Sequence, residues 1–289
     1  MFEGSSVALV TPFDKNGNID FKTLDNLIEF HIQEKTDGIV PCGCTGEAAT
    51  LKHEEQKKII EFVVGKVKGR VPVIAGAGSN STEEALDLTS FAKKAGADAA
   101  LLITPYYNKP TPKGQFLHYQ KIAEEVAIPI ILYNVPSRTG TNMLPETIAK
   151  LSKIRNIVAV KEANPSLDQV SKIISLCDIT VLSGNDSVTL PILSVGGKGV
   201  ISVVANVVPR KIHDLVHNFK EGKLEEAREI HYELYPLFEA LFYETNPIPV
   251  KESLALMGKI QPNLRLPLCR MGDENKEKLV RVLKDLKLV

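Results

Sequence analysis

The feature that most constrains this chain is an eightfold alternation of short, β-branched apolar runs with segments of helical periodicity. The runs are continuously apolar, which is typical of parallel strands that are covered on both faces. They recur about every 20 to 33 residues, a spacing that fits repeated β-strand and α-helix units. The predicted strands are Val7–Thr11, Gly38–Gly43, Val71–Ala77, Ala99–Thr104, Ile128–Asn134, Ile157–Glu162, Ile179–Gly184 and Gly199–Ala205.

Helix start signals support the segments between these runs. Asp20 precedes the first helix, Ser81 opens the third, and Pro145 stands near the start of the fifth. Eight such units close a (β/α)8 TIM barrel of the α/β class. A doubly wound open sheet is the alternative, because alternation alone fits both folds, but the count of eight favours the barrel. The predicted helices are Phe21–Glu34, Glu54–Lys68, Thr82–Ala95, Lys113–Val126, Leu144–Lys153, Leu167–Cys177 and Pro209–Glu221.

After the eighth strand the pattern loses its strands. Helices are predicted at Leu224–Tyr243, Val250–Met257 and Glu274–Leu288. We therefore expect a catalytic barrel over residues 1–224 and a C-terminal helical extension over 225–289, too small to fold alone. The aromatic stretch between Tyr232 and Tyr243 either covers the barrel wall or forms a subunit contact.

The composition narrows the class of partner. The 35 basic and 35 acidic residues cancel, so no overall field draws the protein to nucleic acid or to an anionic membrane. The N-terminus lacks a basic segment, and nowhere do eighteen apolar residues follow one another, which predicts a cytoplasmic protein. Four scattered cysteines are read as reduced thiols, and Cys42 and Cys44 lack the second ligand pair of a metal site.

Two residues stand at strand ends, where the active sites of α/β barrels are built. Lys161 ends an aliphatic strand, and desolvation there lowers the pKa of an amine, as attack on a carbonyl requires. Tyr133 ends the preceding strand, and a phenol beside an imine can transfer protons. The alternatives are an ion pair of Lys161 with Glu162 or another carboxylate, and a core tyrosine whose hydroxyl is satisfied.

Two further motifs lie at the same barrel mouth. The turn Gly43–Glu47 offers backbone N–H groups and the Thr45 hydroxyl to a carboxylate, and it lacks the glycine patterns of nucleotide sites. Arg138 follows Tyr133 and suits a bidentate contact with a second carboxylate, although a surface salt bridge would also explain it. An amine, a phenol, an anion-binding turn and an arginine together predict a keto-acid site that uses imine chemistry, without a metal or cofactor.

The sequence resembles the Schiff-base aldolase and lyase barrels over essentially its whole length, and among them the dihydrodipicolinate synthase family. The motifs that carry the resemblance are Gly43–Thr50 (GCTGEAAT), Ile103–Pro110 (ITPYYNKP), Tyr133–Gly140 (YNVPSRTG), Val160–Ala163 (VKEA), Ser183–Asp186 (SGND) and Gly196–Asn206 (GGKGVISVVAN). The resemblance implies that pyruvate condenses with L-aspartate 4-semialdehyde in the diaminopimelate pathway of lysine biosynthesis.

The resemblance also implies roles for individual residues. Lys161 matches the imine-forming lysine, Tyr133 the proton-relaying tyrosine, and Thr45 with its adjacent backbone the pyruvate carboxylate site. Arg138 matches the arginine that binds the semialdehyde carboxylate, and Tyr107 a tyrosine that reaches into the neighbouring site across a tight dimer. Two positions match residues that line the pocket: Gly184 and Ile201.

One position departs from the family pattern. Where the family has a hydroxyl residue before Thr45, completing a relay with Tyr133 and Tyr107, this chain has Cys44, whose thiol is a weaker donor. The resemblance further implies a homo-oligomer, a tight dimer that often forms tetramers, and inhibition by L-lysine at the dimer interface. The positions that match the lysine site are Ala49, His53, Asn80, Glu84 and Tyr106.

Two competing functions stay open at this point. A pyruvate-dependent sugar-acid or sialic-acid aldolase of the same family would share Lys161 and Tyr133 but would not need Arg138. A barrel that serves as a binding or regulatory protein would use Lys161 only in an ion pair.

Overall fold

The structure is a computed structural model that describes residues 2–289. In this part of the chain, eight parallel strands form one sheet in the order β2-β1-β8-β7-β6-β5-β4-β3. A parallel bridge between Ile39 and Val73 joins β2 to β3, where the Ile39 N–H donates to the Pro72 carbonyl at 2.9 Å, so the sheet closes into the predicted barrel. The strands are β1 (Gly4–Ala8), β2 (Gly38–Val40), β3 (Ile74–Gly76), β4 (Ala99–Ile103), β5 (Ile130–Asn134), β6 (Ile157–Glu162), β7 (Thr180–Ser183) and β8 (Gly199–Ser202).

Helices surround the barrel, and the predicted start signals act as caps. The Asp20 side chain accepts from the Thr23 N–H, and the Ser81 side chain accepts from the Glu84 N–H. The helices are α1 (Phe21–Gln33), α2 (His53–Val67), α3 (Thr82–Ala95), α4 (Pro112–Glu125), α5 (Pro136–Thr139), α6 (Pro145–Leu151), α7 (Leu167–Leu176), α8 (Thr189–Ser194), α9 (Pro209–Lys220), α10 (Leu224–Ala240), α11 (Ile248–Leu256) and α12 (Asp273–Asp285). The short helices α5 and α8 were not predicted, because four and six residues give no helical period to detect.

The bounds of the first strand were predicted wrongly. The apolar run begins at Val7, but β1 begins at Gly4 and ends at Ala8. Gly4 pairs with Gly199, where an added Cβ would lie 2.1 Å from the Gly4 carbonyl oxygen, so the two backbones meet closely. Ser5 and Ser6 are buried beside this contact. Small polar residues therefore belong to the strand, although a search for apolar runs passes over them.

The C-terminal helices pack on the barrel wall. Leu237, Leu254 and Leu283 belong to the same buried cluster as Val7 and Ile28 of the barrel. The aromatic stretch between Tyr232 and Tyr243 has a buried part and an exposed part. Phe238 is buried, whereas Tyr232 is 68% exposed and Phe242 is 50% exposed. The inner part thus covers the wall, and the outer part remains available for a contact. The division into 1–224 and 225–289 stays a prediction.

Between residues 2 and 289, the structure contains no helix whose length and apolarity would allow it to cross a bilayer.

Candidate active site

Lys161 lies near the carboxyl end of β6 and points into the barrel. It pairs in register with Tyr133 of β5, and only 5% of its surface is exposed. Its Nζ lies 4.3 Å from the centroid of the Tyr133 ring. The amine and the phenol that the strand ends predicted are therefore in contact at the barrel mouth.

The surroundings of Lys161 favour the neutral amine. Burial lowers the pKa of its ammonium group from 10.5 to about 8, although the neighbouring Cys44 and Asp186 raise it, and Arg138 lowers it further. A neutral amine carries the lone pair that attacks a carbonyl. The site thus prepares a nucleophile that an exposed lysine would not provide near neutral pH.

Lys161 does not form the alternative ion pair with Glu162. Successive residues of a strand face opposite sides, so Glu162 leaves the barrel interior. Its carboxylate accepts from Asn134 Nδ2 at 2.9 Å, from Gln169 Nε2 at 2.8 Å and from the Asn164 N–H at 2.8 Å. Burial raises the Glu162 pKa to about 6. Among the ion pairs of residues 2–289, none includes Lys161.

Tyr133 and Cys44 lie together, whereas Tyr107 lies apart. Burial raises the pKa of the Tyr133 phenol well above its ordinary value, and the adjacent Cys44 thiol raises it further. The phenol therefore keeps its proton and can donate it. Tyr107 has a backbone φ of 70° and is 89% exposed, so within one chain it does not complete this site.

A hydrogen-bonded chain joins Thr45 to Arg138 through Asn246. Asn246 Nδ2 donates to Thr45 Oγ1 at 3.0 Å, and Arg138 Nη2 donates to the Asn246 carbonyl at 3.0 Å. Thr45 and Asn246 are buried, and Arg138 is exposed toward the mouth. Asn246 was missed from the sequence, because it comes from the C-terminal extension 201 residues away from Thr45.

Asp186 is a second residue to which the sequence assigned no role, although the motif SGND contains it. It is buried and accepts from Ser202 Oγ and from the N–H groups of Val203 and Val204 at 3.0 and 3.2 Å. These bonds end β8 and fix a carboxylate near Lys161. Burial raises the Asp186 pKa, while its hydrogen bonds oppose that rise.

A cavity of about 490 Å³ opens at this end of the barrel. Cys44, Tyr133, Arg138 and Asn246 contribute to its wall. Its outer part is lined by four of the five residues predicted for a lysine site: Ala49, His53, Glu84 and Tyr106. The fifth, Asn80, lies outside the lining, where its carbonyl accepts from Asn108 Nδ2 at 2.9 Å. One cavity therefore reaches from the predicted lysine site to Cys44, Tyr133 and Arg138, whereas Lys161 and Thr45 do not contribute to its lining.

The two remaining predicted residues stand at the carboxyl ends of β8 and β7. Ile201 is 1% exposed and belongs to the interior cluster that also holds Tyr133 and Leu182. Gly184 follows β7, and an added Cβ there would lie 2.7 Å from the Ala163 Cβ. Like Lys161, neither residue contributes to the lining of the cavity.

The pKa of Lys161 predicts how activity depends on pH. The second-order rate constant for reaction with a keto acid should rise with pH and level off above about 8, because only the neutral amine reacts. The same group makes stability rise with pH between about 8 and 10.5, since the unfolded lysine there binds more protons than the folded one. A kcat/KM profile that is flat through this range, or that rises only near 10.5, would contradict the assignment.

Comparisons with known proteins agree with this geometry. The family model described as "Dihydrodipicolinate synthetase family" matches residues 1–286. The 4-hydroxy-tetrahydrodipicolinate synthase of Syntrophus aciditrophicus is 57% identical, and the match covers 100% of both chains.

Two solved structures extend the comparison to the fold. The chloride-inhibited dihydrodipicolinate synthase of Acinetobacter baumannii, complexed with pyruvate, is 42% identical over 100% of both chains, with a TM-score of 0.98. The enzyme of Cyanidioschyzon merolae with lysine bound is 40% identical over 100% of this chain and 99% of that one, with a TM-score of 0.96. Full-length sequence and structural similarity agree, and the chain belongs to the dihydrodipicolinate synthetase family.

Proposed function

We propose that this enzyme condenses pyruvate, bound as an imine on Lys161, with L-aspartate 4-semialdehyde, the 4-hydroxy-tetrahydrodipicolinate synthase reaction of lysine biosynthesis. The observation that carries the proposal is a buried lysine whose Nζ lies 4.3 Å from the Tyr133 ring centroid and whose pKa is lowered to about 8. The name of the Syntrophus relative and the pyruvate bound to the Acinetobacter enzyme support the choice of substrates.

The reaction follows from these groups. The neutral Nζ of Lys161 attacks the C2 carbonyl of pyruvate, and loss of water leaves a protonated imine. Loss of a C3 proton gives an enamine, whose carbon attacks the aldehyde of the second substrate. The amino group of that substrate then attacks C2, closes the ring and releases Lys161. Tyr133, with Cys44 beside it, carries the protons between these steps.

The binding residues divide between the two carboxylates. Thr45 and the backbone of its turn bind the pyruvate carboxylate, and Asn246 orients the Thr45 hydroxyl by donating to it at 3.0 Å. Arg138 binds the carboxylate of the semialdehyde, since it projects from α5 toward the cavity. Gly184 and Ile201 shape the floor around the imine.

Substrate profiling tests the proposed reaction. With pyruvate as donor, we expect turnover with L-aspartate 4-semialdehyde, and we expect Arg138→Gln to raise the KM for this aldehyde without preventing a borohydride-trapped pyruvate adduct. Sugar aldehydes and N-acetylmannosamine should be poor acceptors. Faster turnover with a sugar aldehyde would favour the aldolase alternative, and absence of any pyruvate adduct would favour a binding protein.

Cys44 gives a prediction about the relay. Because a thiol donates a weaker hydrogen bond than a hydroxyl, Cys44→Thr should raise turnover by up to about tenfold, part of the roughly 10²–10⁴-fold that a positioned proton donor contributes. The measurement is steady-state kinetics with both substrates. Cys44→Ala is the control and should not gain activity. An unchanged or lower rate for Cys44→Thr would remove position 44 from the relay.

We propose that a partner subunit completes the site. Tyr107 is 89% exposed and held at a positive φ of 70°, so its phenol is presented outward rather than to its own cavity. A tight dimer that inserts this tyrosine into the neighbouring site, and a tetramer of two such dimers, would account for its conformation. Sedimentation of the wild type tests the proposed oligomeric state. The turnover of Tyr107→Phe, compared with that of the wild type, tests whether the Tyr107 hydroxyl serves the neighbouring site.

L-Lysine is the proposed inhibitor, bound in the outer part of the cavity. Glu84 lies 3.8 Å from His53 and accepts from Ser79 Oγ at 2.6 Å, so a carboxylate is fixed there for an amino group. The lysine-bound Cyanidioschyzon enzyme supports the choice. Millimolar lysine should lower the initial rate, and Glu84→Gln should weaken this inhibition about tenfold. Unaltered rates and no heat of binding would dispose of the proposal.

A further inference from the structure

A second cluster of polar side chains lies at the opposite end of the barrel from Lys161. Asp37 stands just before β2, at the amino ends of the parallel strands, and His213 and His217 lie one turn apart on α9. Asp37 Oδ2 is 3.3 Å from His213 Nδ1 and 3.0 Å from His217 Nε2. All three side chains are half-buried, so the cluster is sheltered yet reachable from solvent.

The spacing of these atoms fits a metal ion. The three candidate ligand atoms lie within 4.8 Å of one another. A tetrahedral Zn²⁺ with bonds of about 2.0–2.1 Å separates its ligand atoms by about 3.3 Å, which agrees with the distances from Asp37 to the two imidazoles. Two histidines four residues apart on one helix face are a common pair of zinc ligands. Three protein ligands would leave a fourth position for water.

The surrounding contacts hold the ligands in place. Asp37 Oδ2 accepts from the Ser5 N–H at 2.7 Å, and the Asp37 N–H donates to the Ser5 carbonyl at 2.8 Å. This orients the carboxylate as the outer contacts of metal ligands do. His213 Nδ1 is buried and lies 3.3 Å from Asp37 Oδ2 without the geometry of a hydrogen bond, whereas His217 Nε2 is hydrogen-bonded to the Asp37 oxygens at 3.0 and 3.2 Å. An ion is the partner that would use its lone pair.

The arrangement of the two rings also bears on binding. Their centroids are 3.9 Å apart, and their planes differ by 24°. Because the planes are nearly parallel and each lone pair lies in its ring plane, at least one ring must rotate about its side-chain bonds before both nitrogens point at one ion.

We propose that Asp37, His213 and His217 bind one divalent transition-metal ion, with Zn²⁺ as the probe, at the amino end of the barrel. The ion would join α9 to the segment before β2, and through Ser5 to β1. Its role is structural, because the parallel strands separate it from the amine and the cavity by the length of the barrel. Turnover should therefore not depend on it.

The test uses the full-length protein, first freed of metal by chelation. Titration with ZnCl2 should show one site, and the melting temperature should rise with Zn²⁺. His217→Gln and His213→Gln should each lower the affinity at least about tenfold and lose the thermal shift. Lys220→Gln, on the same helix but outside the cluster, is the matched control and should bind as the wild type does. The turnover of the wild-type protein should be the same without metal and with Zn²⁺ bound.

Cobalt distinguishes this site from the cysteines. Co²⁺ bound to two imidazoles and a carboxylate gives visible d–d bands, whereas a thiolate ligand adds an intense charge-transfer band in the near ultraviolet. We expect only the former, and its loss in His217→Gln. No heat with ZnCl2, equal affinity in His217→Gln, or a thiolate band would each overturn the proposal.

Discussion

Replacing Lys161 with methionine is expected to abolish the borohydride-trapped pyruvate adduct and to lower turnover by on the order of 10⁴-fold or more, as removal of a catalytic nucleophile does. Methionine keeps the length of the side chain but has no amine to form the imine. The fold should be at least as stable as that of the wild type, because burial disfavours the ammonium that the unfolded chain keeps.

The chain contains a matched control for this substitution. Lys251 is also buried, and its Nζ also lies 4.3 Å from an aromatic ring, that of Phe13. Unlike Lys161, it is paired, since its Nζ lies 2.6 Å from Glu47 Oε1 and donates to the Thr11 carbonyl at 2.9 Å. Burial and an aromatic neighbour are thus common to both lysines, and among the described residues they differ in that Lys251 forms an ion pair and Lys161 does not.

Mass spectrometry after borohydride reduction measures the difference directly. In the wild type, the pyruvate-derived mass should appear on the peptide that contains Lys161 and not on the one that contains Lys251. Circular dichroism and thermal melting show whether Lys161→Met is folded. An adduct that persists in folded Lys161→Met, or turnover near the wild-type rate, would refute the assignment of the amine.

Lys251→Met should have the opposite effect and destabilise the fold by about 3–5 kcal/mol, the cost of leaving one member of a buried ion pair without its partner. Glu47 and Lys251 both have fully buried side chains. Glu47 also has a positive φ of 56°, in the turn that carries Thr45, so its carboxylate is fixed where Lys251 meets it. Loss of this pair would loosen the contact between α11 and the turn that carries Thr45.

Denaturant unfolding at neutral pH measures this loss. The double variant Glu47→Gln with Lys251→Met should recover part of it, because no uncompensated charge remains. Lys278→Met removes an ion pair of similar length, 2.7 Å to Glu274, but on the exposed face of α12, and it should not measurably change the unfolding free energy. Equal effects of Lys251→Met and Lys278→Met would contradict the argument from burial.

The sequence predicted the barrel because its strands are local and fully buried. β6 has the predicted bounds, Ile157–Glu162, since a continuous apolar run ended by two charged residues is easy to recognise. The predicted bounds of β1 were shifted, because its first residues are small and polar and pair with the distant strand β8, where Gly4 meets Gly199. A pattern within one segment does not show a contact that a distant segment makes.

The residues of the candidate site also fall into those that the sequence could predict and those that it could not. Lys161 and Tyr133 could be predicted as neighbours because consecutive parallel strands place their ends side by side, and the structure has them in register. Asn246 and Asp186 could not be assigned roles, since their partners depend on side-chain orientation and, for Asn246, on where the C-terminal extension docks. The pair His213 and His217 is visible as a helical spacing, but Asp37 joins it only across 180 residues.

The sequence alone therefore determined the eightfold alternation, the barrel that it closes, and the presence of a lysine and a tyrosine at the ends of adjacent strands. Only the tertiary structure decided which buried lysine is neutralised by a carboxylate. Glu47 and Lys251 meet across 204 residues once α11 packs on the barrel, whereas Glu162 turns away from Lys161 because neighbouring residues of a strand face opposite sides. Pairing of charges depends on distances in the closed fold, and these distances are not contained in any local pattern.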